Sequence, residues 1–204
     1  VGRDMEKAER VVAAIGAAGG EAIAVRADAT VEADLRETLR QVLEWGGRLD
    51  TVVHCAGMNS ATPFFELKME EWDRIMDVNL KSAVLTAQIF GKHLVDQGEG
   101  GSIINISSVS SEQPLSRVFT YSASKAGINS ITKFLAREFA PANVRVNAII
   151  PGFFPAEQNR KILSPDRIES IMRHTPMNRF GEPEELQGAV VYLASRRASS
   201  FVTG

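Results

Sequence analysis

Two kinds of apolar spacing alternate along this chain, a helical one recurring every third or fourth residue and short unbroken β-branched runs. Residues 4–18 place Val11, Val12 and Ile15 at helical spacing and close on Gly19 and Gly20, which predicts a helix with a glycine stop. Residues 21–27 read as a strand. Thr30 opens a second helix over about 31–45, with Glu32 and Asp34 where the helix dipole favours negative charge and Leu35, Leu39 and Val42 as its buried stripe. Residues 51–54 form a brief strand that runs into Ala56 and Gly57, helices follow over about 69–78 and 80–97, and Gly98, Gly100 and Gly101 mark the next turn.

A strand over 102–106, an irregular stretch containing Pro114, a long helix over 121–140 and a strand over 144–150 complete the alternation. After Pro151 and Gly152 about 30 residues follow no single period and carry Pro155, Pro165 and Pro176, which predicts a lid or binding region over 152–182. A last helix is expected over 184–195. Alternation of this kind predicts an α/β fold, a Rossmann-like doubly wound parallel sheet with ligands at the carboxyl ends of its strands. No repeat or linker divides residues 1–204, so a single domain is expected.

Composition narrows the function by exclusion. The 204 residues carry 23 Lys plus Arg against 25 Asp plus Glu, and a net charge of −2 gives no electrostatic case for nucleic acid or an anionic membrane as partner. The one cysteine, Cys55, rules out an internal disulfide and a cysteine-rich metal site; it reads as a small buried hydrophobe, and no metal is expected. With no run long enough to span a bilayer and a polar start from Val1 to Glu9, a cytoplasmic protein is expected.

The sharpest chemical signal is Tyr121 and Lys125, four apart and therefore on one helix face, with Ser107 and Ser108 at the end of the preceding strand. A lysine cation favours the phenolate and draws the tyrosine proton toward working pH, which suits Tyr121 to general acid and base chemistry. Ser108 offers a hydroxyl for the same substrate oxygen, and Asn79, where two helical stretches meet, an amide able to hold a water. Taken singly, each has a structural reading. Together, in this order, they resemble the short-chain dehydrogenase/reductase family, whose Y-x-x-x-K pair, upstream serine and helix-borne asparagine match Tyr121, Lys125, Ser108 and Asn79.

The resemblance extends over essentially the whole chain. It implies that Asp28, with Ala29 beside it, meets the adenine of a dinucleotide, and that His54-Cys55-Ala56-Gly57 stands in the place of the family's N-N-A-G motif, both asparagines replaced. Ala56 and Gly57 would line the cofactor, and the Pro151-Gly152 turn with Phe154 would bring backbone to the nicotinamide. Ala156 stands where the family often has a threonine. His54 is more readily a strand-end packing residue than a catalytic one. The family's glycine-rich phosphate turn and first strand would precede residue 1, and its last strand would follow Gly204, so the 204 residues are expected to belong to a longer functional chain, with 21–27 lacking its immediate neighbour.

Gly2 followed by Arg3, where an acid would receive the ribose hydroxyls of NAD, favours NADP(H), with NAD(H) the alternative. The stretch from Gly152 to Arg160, with His174 to Gly181, resembles a mannonate oxidoreductase-like and gluconate dehydrogenase-like branch, which implies a sugar acid or polyol. Gln158, Asn159 and Arg160 could bind its hydroxyls and carboxylate, and Gln113 and Asn59 are further polar candidates near the strand ends. The helices over 80–97 and 121–140 match those that pair across subunits in the family, implying a homotetramer or dimer. The expectation is thus an NADP(H)-preferring oxidoreductase interconverting a carbonyl and a secondary alcohol; a truncated or nonenzymatic dinucleotide-fold binding or assembly protein is the alternative.

Overall fold

A computed structural model describes residues 1–113, 115–154 and 164–204. Three parallel strands, β1 (Thr51–His54), β2 (Gly101–Ile106) and β3 (Val144–Ile149), lie side by side in that order. Their register pairs Thr51 with Ser102 and Gly101 with Val144, so all three carboxyl ends reach the same edge. Parallel strands of this kind are buried on both faces, and β2 and β3 carry near-continuous buried runs.

The pleat sends alternate residues to opposite layers. On one face Ile103, Val144 and Val146 pack with Leu35, Ile89, Phe90, Leu94 and Ala136 from three helical segments, forming the main core. On the other, Ser102 and Arg145 turn toward the helix Gln187–Ala194, where the Ser102 hydroxyl and the Arg145 guanidinium both donate 2.8 Å bonds to the Leu193 carbonyl. Arg145 is therefore buried and, among the described residues, pairs with no carboxylate, its guanidinium meeting the free end of a helix instead.

Around the sheet lie α1 (Met5–Ala17), α2 (Glu32–Gly46), α3 (Met69–Met76), α4 (Ser82–Thr86), α5 (Lys92–Gln97), α6 (Phe119–Phe139), α7 (Pro165–Arg173) and α8 (Gln187–Ala194). The two helices expected over 69–78 and 80–97 are one continuous run, since α3, α4 and α5 are joined by the π-helical turns Asp77–Lys81 and Ala87–Gly91. The expected break at 79 is an extra residue accommodated inside the helix, not an interruption. The last predicted helix likewise divides, into a 3-10 turn at Pro183–Leu186 and α8.

Residues 21–27 differ from expectation: no strand forms there. The segment is held to the chain start by one bridge between Gly2 and Arg26, made by Gly2 N to Val25 O and Ala27 N to Gly2 O, each 3.1 Å. An extended run becomes a strand only with a ladder to join, and among the described residues this one pairs only with Gly2, while a cavity of about 670 Å³ lies along β1 from Leu49 to Gly57. Thr30 also departs from its expected role. Val31 stands at the start of α2, and Thr30 instead donates through N and Oγ1 to Asp28 Oδ1, at 2.9 and 2.7 Å.

No side chain of α1 is buried, so its Val11 and Ile15 are exposed, as are Val53 of β1 and Cys55 just beyond it. Cys55 is thus an exposed cavity-lining thiol, not the buried hydrophobe the sequence suggested.

Candidate active site

The carboxyl ends of β1 and β2 and the start of α6 converge on one point, and hydrogen bonds specify how. Lys125, one turn after Tyr121 on α6, is buried; its ammonium donates a 2.7 Å bond to the Ile106 carbonyl at the end of β2. The next residue, Ser107, returns the tie by donating its hydroxyl to the Lys125 carbonyl at 3.1 Å. The Lys125 nitrogen lies 5.5 Å from the centroid of the Tyr121 ring. Burial pushes the Lys125 amine down to about 8 from its ordinary value near 10.5, with the Cys55 thiol opposing in part.

Asn79 is fully buried inside the Asp77–Lys81 π-turn, a helix irregularity common at functional sites. Its Oδ1 accepts from Met58 N at 2.7 Å, and its amide donates to Met58 O and Ser124 Oγ at 2.9 Å each. Ser124 passes the bond on to the Tyr121 carbonyl at 2.7 Å. Both amide hydrogens of Asn79 are therefore committed. For the water that the sequence assigns to it, the second lone pair of Oδ1 remains, and through these bonds Asn79 ties α6 to the loop after β1. Gly57 closes the gap, since a Cβ there would stand 3.6 Å from both Asn79 Oδ1 and Lys125 Nζ.

Ser108 follows β2 and caps the 3-10 turn Val109–Ser111. Its Oγ accepts from Ser110 N at 3.3 Å and Ser110 Oγ at 3.1 Å, which leaves its own proton free to be donated outward. Beneath it, Asn129 of α6 donates to Ser111 Oγ, and Ser111 donates to the Ser108 carbonyl. Gln113 is exposed just past this turn. The turn is itself joined to the end of β3 by Val109 N to Pro151 O at 2.9 Å.

Arg3 and Asp28 come together at the far rim of the cavity, 3.6 Å apart, with Ala29, Ala56 and Gly57 also lining it. The bonds from Thr30, and then Arg3, hold the Asp28 carboxyl below its usual range. At the other end Gly152 has open space around it, whereas the Phe154 ring lies directly against Gly181, where no Cβ would fit. Gln158, Asn159, Arg160 and Ala156 lie outside the described residues. His54 is buried, its Nε2 2.9 Å from a Ser82 hydroxyl that donates in turn to Val78 O. Ser82 thus uses its proton on the helix and receives one from His54, whose Nδ1 has no partner. Burial, with the Lys125 charge adding, drives the imidazole down to about 4, which fits packing and not proton transfer.

The sequence did not single out Ser124, Ser110, Ser111 and Asn129: Ser124 bonds Asn79 and the Tyr121 carbonyl, Ser110 and Ser111 bond Ser108, and Asn129 bonds Ser111. The serine-rich run from 107 to 111 and the serine inside the Tyr-Lys spacing were the available signals.

Comparison with known proteins agrees with this geometry. A family model described as enoyl-(acyl carrier protein) reductase matches residues 1–204. An uncharacterized oxidoreductase of Bacillus subtilis, UxuB, is 37% identical over a 223-position alignment covering 99% of this chain and 80% of that protein. The 2-dehydro-3-deoxy-D-gluconate 5-dehydrogenase of Escherichia coli is 38% identical, covering 81% of this chain and 65% of the relative. Among solved structures, a gluconate 5-dehydrogenase from Burkholderia cenocepacia in complex with NADP and tartrate superposes with a TM-score of 0.92 at 30% identity, over 100% of this chain and 80% of that one. The chain is an enzyme of the short-chain dehydrogenase/reductase family.

Proposed function

We propose that the protein is an NADP(H)-preferring oxidoreductase that interconverts a carbonyl and a secondary alcohol on a sugar acid or polyol. The observation that carries it is the buried Lys125 ammonium, anchored on the Ile106 carbonyl one helical turn from Tyr121. Arg3 and Asp28 stand together at one rim of the cavity and Gly57 lies near Lys125, and the relatives named for gluconate chemistry support a hydroxylated acid as substrate.

A bound nicotinamide supplies or takes the hydride; the chain's own groups manage the proton and the oxygen. Tyr121 donates its proton to the developing alkoxide in the reducing direction and removes it in the other. Lys125, cationic below about pH 8, stabilises the phenolate that results and would also hold the nicotinamide ribose. Ser108, fed by two donors from Ser110, directs its own proton at the substrate oxygen. Asn79 fixes the distance between the loop carrying Gly57 and the helix carrying Tyr121. Arg3 would meet the 2′-phosphate of NADP, exchanging part of its bond with Asp28, while the region over 152–182, with Gln158, Asn159 and Arg160, would cover the substrate. A homotetramer or dimer in the cytoplasm fits this reading; among the described residues no helix is long and apolar enough to cross a membrane.

The test is steady-state turnover of D-gluconate with NADP+ and with NAD+. A higher kcat/KM with NADP+ is expected; a preference for NAD+ would overturn the cofactor choice. Failure to oxidise gluconate or any related polyol would overturn the substrate class.

A further inference from the structure

Two residues of the helical run over 69–97 reach the loop that leaves β1, and only one of them belongs to the site described above. Asn79 takes both backbone groups of Met58. Eight residues earlier, the Glu71 carboxylate accepts the Ser60 hydroxyl on one oxygen and the Thr62 hydroxyl, at 3.0 Å, on the other. These bonds hold the Glu71 carboxyl below its ordinary range, Ser60 contributing most. The loop is therefore fastened at 58 by an amide and at 60 and 62 by a carboxylate. Asn59, exposed, is suspended between the two fastenings.

A loop with no ladder of its own keeps a defined path only if something else fixes it. This one starts at Gly57, against Asn79 and Lys125, so its path bounds the space beside the reacting groups. Asn79 and Glu71 stand on one rigid run, so the loop, the Asn79 brace and the start of α6 share one frame.

We propose that Glu71 is a positioning residue for substrate: it latches residues 60–62 and so fixes the path of the exposed Asn59, two residues on from Gly57, so that its amide can both donate to and accept from a polyhydroxylated substrate. This rests on the proposed carbonyl–alcohol chemistry of the site. The latch acts on substrate recognition and leaves the proton-transfer groups in place.

The test compares Glu71→Ala, the pair Ser60→Ala with Thr62→Val, and all three changes together, in D-gluconate oxidation with NADP+ and in backbone hydrogen exchange. Expected is a rise of about tenfold in the gluconate KM for each, the scale of one or two hydrogen bonds. The kcat and the NADP+ KM should stay within about twofold, and the triple variant should add nothing, as two ends of one latch require. Amides of 58–63 should exchange faster in every variant while those of α6 do not change. Unchanged exchange in the loop overturns the proposal, as does a parallel loss of kcat, both KM values and thermal stability. If the unaltered enzyme does not oxidise gluconate, the sugar-acid reading fails and the exchange measurement still decides the latch: faster loop exchange reproduced by both sets of changes supports it, and no change sinks it.

Discussion

Lys125 donates its ammonium to the Ile106 carbonyl, while the adjacent Ser107 donates its hydroxyl back to the Lys125 carbonyl. This reciprocal pair locks the first turns of α6 onto the end of β2, and it places a buried cation beside Tyr121 without a carboxylate partner. Burial is the larger influence on the amine and draws it down to about 8, with the Cys55 thiol opposing in part.

Activity should therefore fail on the alkaline side as Lys125 loses its proton. In the free enzyme kcat/KM should decline through about pH 8, as a pH–rate profile will show. An alkaline limit near that of an ordinary lysine would contradict it. Stability runs the other way: the unfolded lysine holds its proton to higher pH than the folded one, so this group's contribution to stability rises as pH increases from about 8 to 10.5.

Tyr121→Phe removes the proton and keeps the ring over which Lys125 lies. Turnover should fall by about 10² to 10⁴, the range of a lost general acid. Dinucleotide affinity, measured by fluorescence titration, should stay nearly the same; substantial residual turnover would exclude the assigned role.

Asn79→Ala leaves Met58 N and Met58 O without their amide partner and removes the bond that Ser124 Oγ accepts, while Ser124 keeps its bond to the Tyr121 carbonyl. Each buried polar group left unmatched costs about 1–3 kcal/mol, so denaturant unfolding should show a loss of several kcal/mol with kcat falling too. Loss of activity at undiminished stability would mean that Asn79 acts on the chemistry and not as a brace.

His54 is neutral in the folded protein and titrates at about 4, below its unfolded value of 6.5. Between those limits the unfolded chain binds the extra proton, so stability is lost as pH falls through this window, by up to about 3 kcal/mol. His54→Asn should flatten the melting temperature between pH 6.5 and 4, since an amide can still donate to Ser82 and does not titrate. An unchanged acid slope would assign the sensitivity elsewhere.

The catalytic candidates were legible because each sits on a regular element at a fixed spacing: one turn apart on α6, at the end of β2, in a helical run. The periodicity break at Asn79 is a π-turn that buries its side chain, which the spacing alone does not distinguish from a junction of two helices. Ser110, Asn129 and Glu71 were not legible, because their partners are set by the path of loops and not by any repeat.

The Asp77–Lys81 turn also fixes how the helix on either side may vary. One residue of an α-helix is about 100° of rotation. Deleting a single residue inside that turn would give a straighter helix of better intrinsic geometry, yet it would unscrew everything on one side of the cut relative to the other. Glu71 and its loop could keep their bonds, or Leu94 could keep its place against Ile103, but not both. Length in this helix is thus a shared constraint between the mouth of the site and the core, and substitutions are tolerable there where insertions and deletions are not.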